Sequence, residues 1–298
     1  MEYILDWIKL TVTTTNEALE AVSNILLENG AGGVQIDDSE LDNVLLSTYF
    51  PATTQLDDLI SELEPKIKAL REFELDPGQG KVRLAMIDDS WADVWKKYYH
   101  PVRLTRYLTI VPSWEEYYKV SADEKVIVLD PGRAFGTGNH PTTRLALQAL
   151  ETVVRGGETM LDVGTGSGVL SIAAKYLGVS KIKAYDIDDD AVKAAVENLA
   201  LNKMEDTIEV KANDLLNGID EKVDLITANI LAEFIEPLIP QAKECLNSGG
   251  IFITSGVIND KAQLIEDTLL ENGFVIDQVL NIKDWYSFIA HIPTEDEV

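Results

Sequence analysis

Asp162-Val163-Gly164-Thr165-Gly166-Ser167-Gly168 is the stretch on which the fold turns. It follows the apolar Thr159-Met160-Leu161 and opens onto Val169-Leu170-Ser171-Ile172-Ala173-Ala174, a helix-forming run. A strand that turns through closely spaced glycines into a helix brings bare backbone against a ligand. Glycine admits positive φ and close approach, and a helix N-terminus offers unpaired N–H groups. The glycines stand at 164, 166 and 168, whereas the dinucleotide fingerprint G-x-G-x-x-G needs Gly or Ala at 169, where this chain has Val169.

Two acids frame the turn. Asp162, two residues before the first glycine, is placed to meet a cationic group that a pyrophosphate lacks. Asp186 ends the segment Ile182-Lys183-Ala184-Tyr185, and an acid at the tip of the second strand of a βαβ unit accepts hydrogen bonds from ribose hydroxyls. A nucleoside with a positively charged, phosphate-free tail satisfies both. S-adenosylmethionine is such a molecule, and the expected cofactor; a nicotinamide or flavin dinucleotide is the competing reading.

Outward from the turn, residues 121–298 alternate strand and helix, the pattern of a mainly parallel sheet covered on both faces. Strands are expected near Ile127, Leu161, Ala184, Ile208, Leu225 and Ile253, with helices near 142–154, 168–177, 189–202, 231–246 and 259–272. Phe274–Ile282 and Trp285–Ile292 read as a closing hairpin, so the last strand runs antiparallel. The fold class is therefore α/β, Rossmann-like, with a mainly parallel sheet whose terminal antiparallel hairpin is more typical of methyltransferases than of dinucleotide-binding proteins.

Residues 1–87 read as a separate small α+β unit of order β-α-β-β-α-β, ferredoxin-like. Thr14 and Glu17 match a capping box for its first helix, and Pro65 should distort the second. Residues 88–120 form a linker in which Trp91, Trp95, Tyr98 and Tyr99 fall at helical spacing, a stripe that reads as packing.

The 298 residues carry 51 acids against 25 Lys and Arg, a net charge of −26, which disfavours a nucleic-acid substrate. Residues 1–60 hold eleven acids and one base, Lys9, a surface suited to a basic partner. One cysteine and three histidines leave no material for a disulfide or a dedicated metal site. The chain shows no apolar run long enough for a membrane span and no signal peptide, so a cytoplasmic location is expected.

Ligands of open α/β sheets bind beyond the carboxyl ends of the strands. Asp214, after the strand near Ile208, is placed to accept from an adenine amino group, or to cap a turn. Asn229, opening Asn229-Ile230-Leu231-Ala232, can offer oxygen to an amine, and can also cap the next helix. The glycine-rich segment Asp130–Thr143 is suited to cover a cofactor, with Thr142 or Thr143 bonding its methionyl end. His140 is read as structural in that loop rather than as a base.

The run Ala134–Thr143, the Asp162–Gly168 turn, Asp186 and Asn229-Ile230-Leu231-Ala232 together resemble the PrmA family, bacterial methyltransferases that modify ribosomal protein eleven of the large subunit. The resemblance extends over almost the whole chain and is strongest in 130–143. It implies an N-terminal substrate-recognition domain, a linker and a class I methyltransferase domain with a seven-stranded sheet. It also implies methyl transfer from S-adenosylmethionine to lysine ε-amines and the N-terminal α-amine of that protein, free or ribosome-bound. Thr143, Gly164, Asp186 and Asn229 match the family's cofactor positions, and Asp162, Gly166, Gly168 and Asp214 complete the expected cofactor site. Asn229 is expected to orient the amine. Another basic protein as substrate, or a non-catalytic ribosome-binding factor, are the alternatives. Enzymes acting on amides or adenines carry Asn-Pro-Pro-Tyr where this chain has Asn-Ile-Leu-Ala.

Overall fold

The structure of the chain, a computed structural model, describes residues 7–29, 31, 34–40, 43–51, 56–73, 75–87, 99–130 and 140–297. Trp91, Trp95, Tyr98 and the glycine-rich residues 131–139 lie outside the described residues. The chain divides into two compact units, Met1–Tyr99 and His100–Val298.

In the first unit the elements follow as β1 (Trp7–Thr14), α1 (Leu19–Glu28), β2 (Gln35–Glu40), β3 (Asn43–Pro51), α2 (Leu56–Ala69) and β4 (Lys81–Ile87). The sheet order is β2-β3-β1-β4, with every pairing antiparallel. Ile8, Leu10, Val12, Val44 and Leu46 alternate onto one face and pack against Val22 and Leu26 of α1 and Leu63 and Ile67 of α2. The capping box expected at Thr14 and Glu17 does not form: α1 starts after Ala18 without a side-chain cap, Thr15 Oγ1 accepts from Ala18 N at 3.3 Å in the preceding turn, and Thr14 is buried with its hydroxyl unpartnered. The α2 helix runs through Pro65.

The second unit is built on a seven-stranded sheet of order β10-β9-β8-β11-β12-β14-β13. Its strands are β8 (Thr159–Val163), β9 (Lys181–Asp186), β10 (Ile208–Ala212), β11 (Val223–Asn229), β12 (Leu246–Ile258), β13 (Val275–Ile282) and β14 (Trp285–His291). The pairings β10–β9, β9–β8, β8–β11 and β11–β12 are parallel, and β14 enters antiparallel between β12 and β13. Helices α3 (Pro141–Val153), α4 (Val169–Leu177), α5 (Asp189–Leu201), α6 (Ala232–Cys245) and α7 (Asn259–Glu271) cover it. Two apolar clusters lie on its two faces, one holding Leu147, Ile172 and Leu199, the other Ile235, Leu238 and Ile265.

The strand at Ile127 stands apart from the expected sheet. Residues 102–103 (β5), 108–112 (β6) and 125–129 (β7) form their own three-stranded sheet, so part of the segment read as linker belongs to the second unit. The free edge of β7 is satisfied by side chains instead of a strand. Asn202 Oδ1 accepts from Val128 N at 3.0 Å, Asn202 Nδ2 donates to Val128 O at 2.7 Å, and Asn198 Oδ1 accepts from Asp130 N at 2.8 Å. Two asparagines one turn apart on α5 thus imitate a neighbouring strand, which no periodicity reveals.

Asn202→Ala should strand both Val128 groups and lower stability by about 1–3 kcal/mol, the cost of unsatisfied buried backbone. Urea unfolding measures this, and a loss under about 0.5 kcal/mol would remove the strand-mimic role.

Candidate active site

At the carboxyl ends of β8, β9 and β11, where strand order reverses, a cavity of about 700 Å³ opens. That is the size and place of a nucleoside site in an open α/β sheet. Among the predicted residues, Gly164, Gly166, Asp186, Asp214 and Asn229 line it.

The glycine turn works differently from a simple anion cradle. Gly164 and Thr165 N–H both donate to Tyr185 O, at 2.8 and 3.0 Å, and Gly168 N–H donates to Thr165 O at 2.9 Å. Gly166 N–H donates to Asp186 Oδ2 at 2.9 Å. These donors are spent on holding the turn to β9, and the glycines serve conformation and close approach. Gly164, at φ +70°, has Ile230 so near that a Cβ would lie 2.2 Å from its Cγ2.

Asp162 is the principal correction to the sequence reading. Its carboxylate is fully buried beneath the turn and does not line the cavity. It accepts from Thr165 Oγ1 at 2.8 Å, Ser171 Oγ at 2.7 Å and Thr227 Oγ1 at 3.0 Å. Burial pushes its pKa up, the hydroxyl donors oppose that rise, and nearby Asp186 adds to it. Gly168 likewise is no wall of the cavity: it caps α4 at φ +79° and lets Ala195 of α5 approach. Thr143 is fully buried with Oγ1 unpartnered, and of the pair it is Thr142 that lines the cavity.

The wall beside Asp186 is acidic. Asp186, Asp188, Asp190 and Asp214 line it, and no Lys or Arg does among the described residues. Such a wall repels a pyrophosphate and favours a cation, which separates S-adenosylmethionine from a dinucleotide. Asp186 is oriented by Gly166 N–H and by Asp188 N–H at 3.1 Å. Asp214 is held by Asn217 Nδ2 at 3.0 Å, and the next residue, Leu215, adopts φ +49° to face the cavity. A branched residue at positive φ stores strain where a ligand packs.

The opposite wall is apolar. Ile230, Leu231, Phe234 and Trp285 line it, with Leu231 and Phe234 about half exposed. Asn229 sits between the two walls with its Oδ1 buried and without a hydrogen-bond partner. A buried acceptor left open at a cavity invites a donor from a ligand. Trp285, Phe234 and Leu215 add to the lining beyond the predicted set; Trp285 was legible only as the first residue of the closing strand.

His140 caps α3: Nδ1 accepts from Thr142 N at 3.3 Å and lies 2.8 Å from Thr142 Oγ1. Its ring meets Trp285 edge to face at 4.8 Å. Burial lowers its pKa, so the neutral ring is favoured near pH 7.

Two outcomes follow from this geometry. Asp162→Ala should leave three sealed hydroxyls without their acceptor, lowering stability by more than about 2 kcal/mol and weakening cofactor binding, whereas Asp162→Asn should be milder because hydroxyls can reverse roles. Denaturation and calorimetry on both variants decide it, and a silent Asp162→Ala contradicts the hub. For His140, the depressed folded pKa means that the unfolded chain takes the proton more readily. Its contribution is therefore lost as pH falls below the unfolded value of about 6.5. His140→Ala should flatten that part of the stability–pH curve; an unchanged slope would contradict the cap assignment.

Known proteins match this arrangement closely. The sequence profile of the family described as ribosomal protein L11 methyltransferase (PrmA) matches residues 6–292. A ribosomal protein L11 methyltransferase of Levilactobacillus brevis is 53% identical, over 98% of this chain and all of that protein. Its counterpart in Enterococcus faecalis is 48% identical over 98% of this chain and all of that protein. A crystal structure of ribosomal protein L11 methylase from Lactobacillus delbrueckii subsp. bulgaricus aligns with a TM-score of 0.63 and 44% identity, covering 65% of this chain and all of that one. With its glycine turn, acidic wall and terminal hairpin in place, the chain belongs to the ribosomal protein L11 methyltransferase (PrmA) family.

Proposed function

We propose that this protein transfers methyl groups from S-adenosylmethionine to amines of ribosomal protein L11, with lysine ε-amines and the N-terminal α-amine as acceptors. The observation that carries this reading is the open Oδ1 of Asn229, buried between an acidic and an apolar wall. The family match and the named relatives supply the protein substrate.

S-adenosylmethionine, when bound, supplies a methyl group already activated by its sulfonium. Asp186 would hold the ribose hydroxyls, Asp214 the adenine end, and Gly164 and Gly166 let the nucleoside lie against the turn. Asn229 Oδ1 accepts a hydrogen bond from the incoming amine and fixes its lone pair in line, a matter of orientation more than of acid–base chemistry. Leu231, Phe234 and Trp285 surround a lysine stem and exclude water. Lysine is charged near pH 7, at a reference pKa of about 10.4, so a desolvating wall favours the neutral form that reacts. The proton leaves to water. The acidic N-terminal unit recognises the basic ribosomal protein.

Asp186→Ala should weaken S-adenosylmethionine binding by about 1.5–3 kcal/mol in calorimetry, the range for hydrogen bonds to a charged acceptor. Tight binding of NAD by the unaltered protein would overturn the cofactor assignment. Asn229→Ala should lower kcat more than it raises the cofactor Kd, and His140→Ala should change kcat less. Measured with labelled cofactor and ribosomal protein, followed by mass mapping, the reverse ranking would make His140 the base. Methyl groups found only on side chains other than lysine would sink the acceptor assignment.

A further inference from the structure

The first unit presents two chemically different faces. The core side of its sheet is closed by α1 and α2, and ladder register dictates the other side. Thr11 stands opposite Ser47 and Arg83, Thr13 opposite Leu45 and Lys81, and Lys9 opposite Tyr49. Residues directly opposite in a ladder share a face, so Lys9, Lys81 and Arg83 lie together on the helix-free side. The small side chains of Thr11, Thr13 and Ser47 leave a depression of about 410 Å³ there, lined also by Lys9 and Arg83.

Charge on this face runs against the rest of the chain. The one base among residues 1–60, Lys9, is here, in a protein of net charge −26. On α2 the lysines are matched, Lys66 with Glu62 and Lys68 with Glu64. Lys9, Lys81 and Arg83 make no ion pair among the described residues; Lys9 Nζ instead lies 5.9 Å from the centre of the Tyr49 ring. Lys81 and Arg83 are exposed. Three cations without an ion pair among the described residues, with Asp37 on one side of the hollow, form a net cationic surface complementary to carboxylates.

We propose that this sheet face docks an acidic peptide segment of a partner protein. Carboxylates would pair with Arg83 and Lys9, while the Thr13 hydroxyl supplies a further donor; those of Thr11 and Ser47 lie 3.3 Å apart and bond each other. Asp37, on the β2 side of the hollow, bounds the cationic strip and limits its occupant to a few carboxylates. A nucleic-acid backbone fits less well, because every phosphate beyond the strip meets the repulsion of the whole acidic chain. The inference is independent of which amine receives a methyl group.

The test is fluorescence anisotropy of the full chain with a short labelled peptide of glutamate and serine. A lysine–serine peptide and a single-stranded oligonucleotide serve as comparisons. The glutamate peptide should bind, weaken as salt rises, and lose about tenfold or more in affinity in the Lys9→Glu, Arg83→Glu double variant. S-adenosylmethionine affinity by calorimetry and the melting temperature should stay unchanged. Should that variant misfold, the Lys9→Gln, Arg83→Gln pair must show the same directional loss for the proposal to stand. Absent binding, equal binding of the lysine peptide, or undiminished affinity in the folded variants overturns it. Tighter binding of the oligonucleotide, lost in the same variants, overturns it in favour of nucleic acid.

Discussion

The Asp162 carboxylate is the constraint on which the site depends. A carboxyl group sealed from water is tolerated only when hydrogen-bond partners surround it, and this one draws hydroxyls from three elements: Thr165 in the glycine turn, Ser171 in α4 and Thr227 in β11. Each donor fixes something the ligand needs. Thr165 sets the turn, Ser171 sets the first turns of the helix behind it, and Thr227 sets β11 two residues before Asn229. Misplacement of any one would leave a buried polar group unpaired, so the cavity wall has little freedom to drift.

A second carboxylate performs the same service at the other end of the strands. Asp224 accepts from Thr159 N at 2.9 Å, Thr159 Oγ1 at 2.8 Å and Asn247 Nδ2 at 2.8 Å, joining the beginnings of β8, β11 and β12. The Thr159 backbone donor, the Asn247 amide and the Thr159 hydroxyl hold its pKa down against the effect of burial. The three central strands are therefore pinned at both ends by polar groups. Between the pins, Leu161, Ile226 and Phe252 provide area but no register of their own.

What could be read from the sequence follows the range of the interactions concerned. The glycine turn, Asp186 and the closing hairpin are encoded within a few residues each, and the structure places them at the expected positions. Asp162 misled because only Thr165 among its partners is local; Ser171 and Thr227 lie 9 and 65 residues away, so its burial and most of its hydroxyl shell are absent from the local pattern. The same holds for β7, an apolar alternating segment in sequence whose edge is filled by asparagines 68 and 74 residues on. Thr14 reads as a capping letter, but it is buried as the last residue of β1 and the helix starts five residues later, after Ala18. Leu215 carried no warning of its positive φ, which exists because the turn is tied by Asn213 and Asn217.

The division of the cavity into acidic and apolar walls answers two demands that conflict in a single environment. A sulfonium cofactor is drawn by negative charge, yet negative charge also keeps an amine protonated and unreactive. Asp186, Asp188, Asp190 and Asp214 stand together on the wall the proposal gives to the nucleoside, whereas Ile230, Leu231, Phe234 and Trp285 line the wall it gives to the acceptor. Asn229, neutral, marks the border, and neutral His140 keeps charge out of the apolar half. Gly256 makes that border possible: a Cβ there would lie 2.1 Å from Ile230 O, so the backbone after Asn229 can be held only where β12 carries no side chain. On the proposed function, cofactor attraction and amine desolvation fall to different walls, and the approach of Ile230 to β12 is set by a glycine rather than by a charged residue.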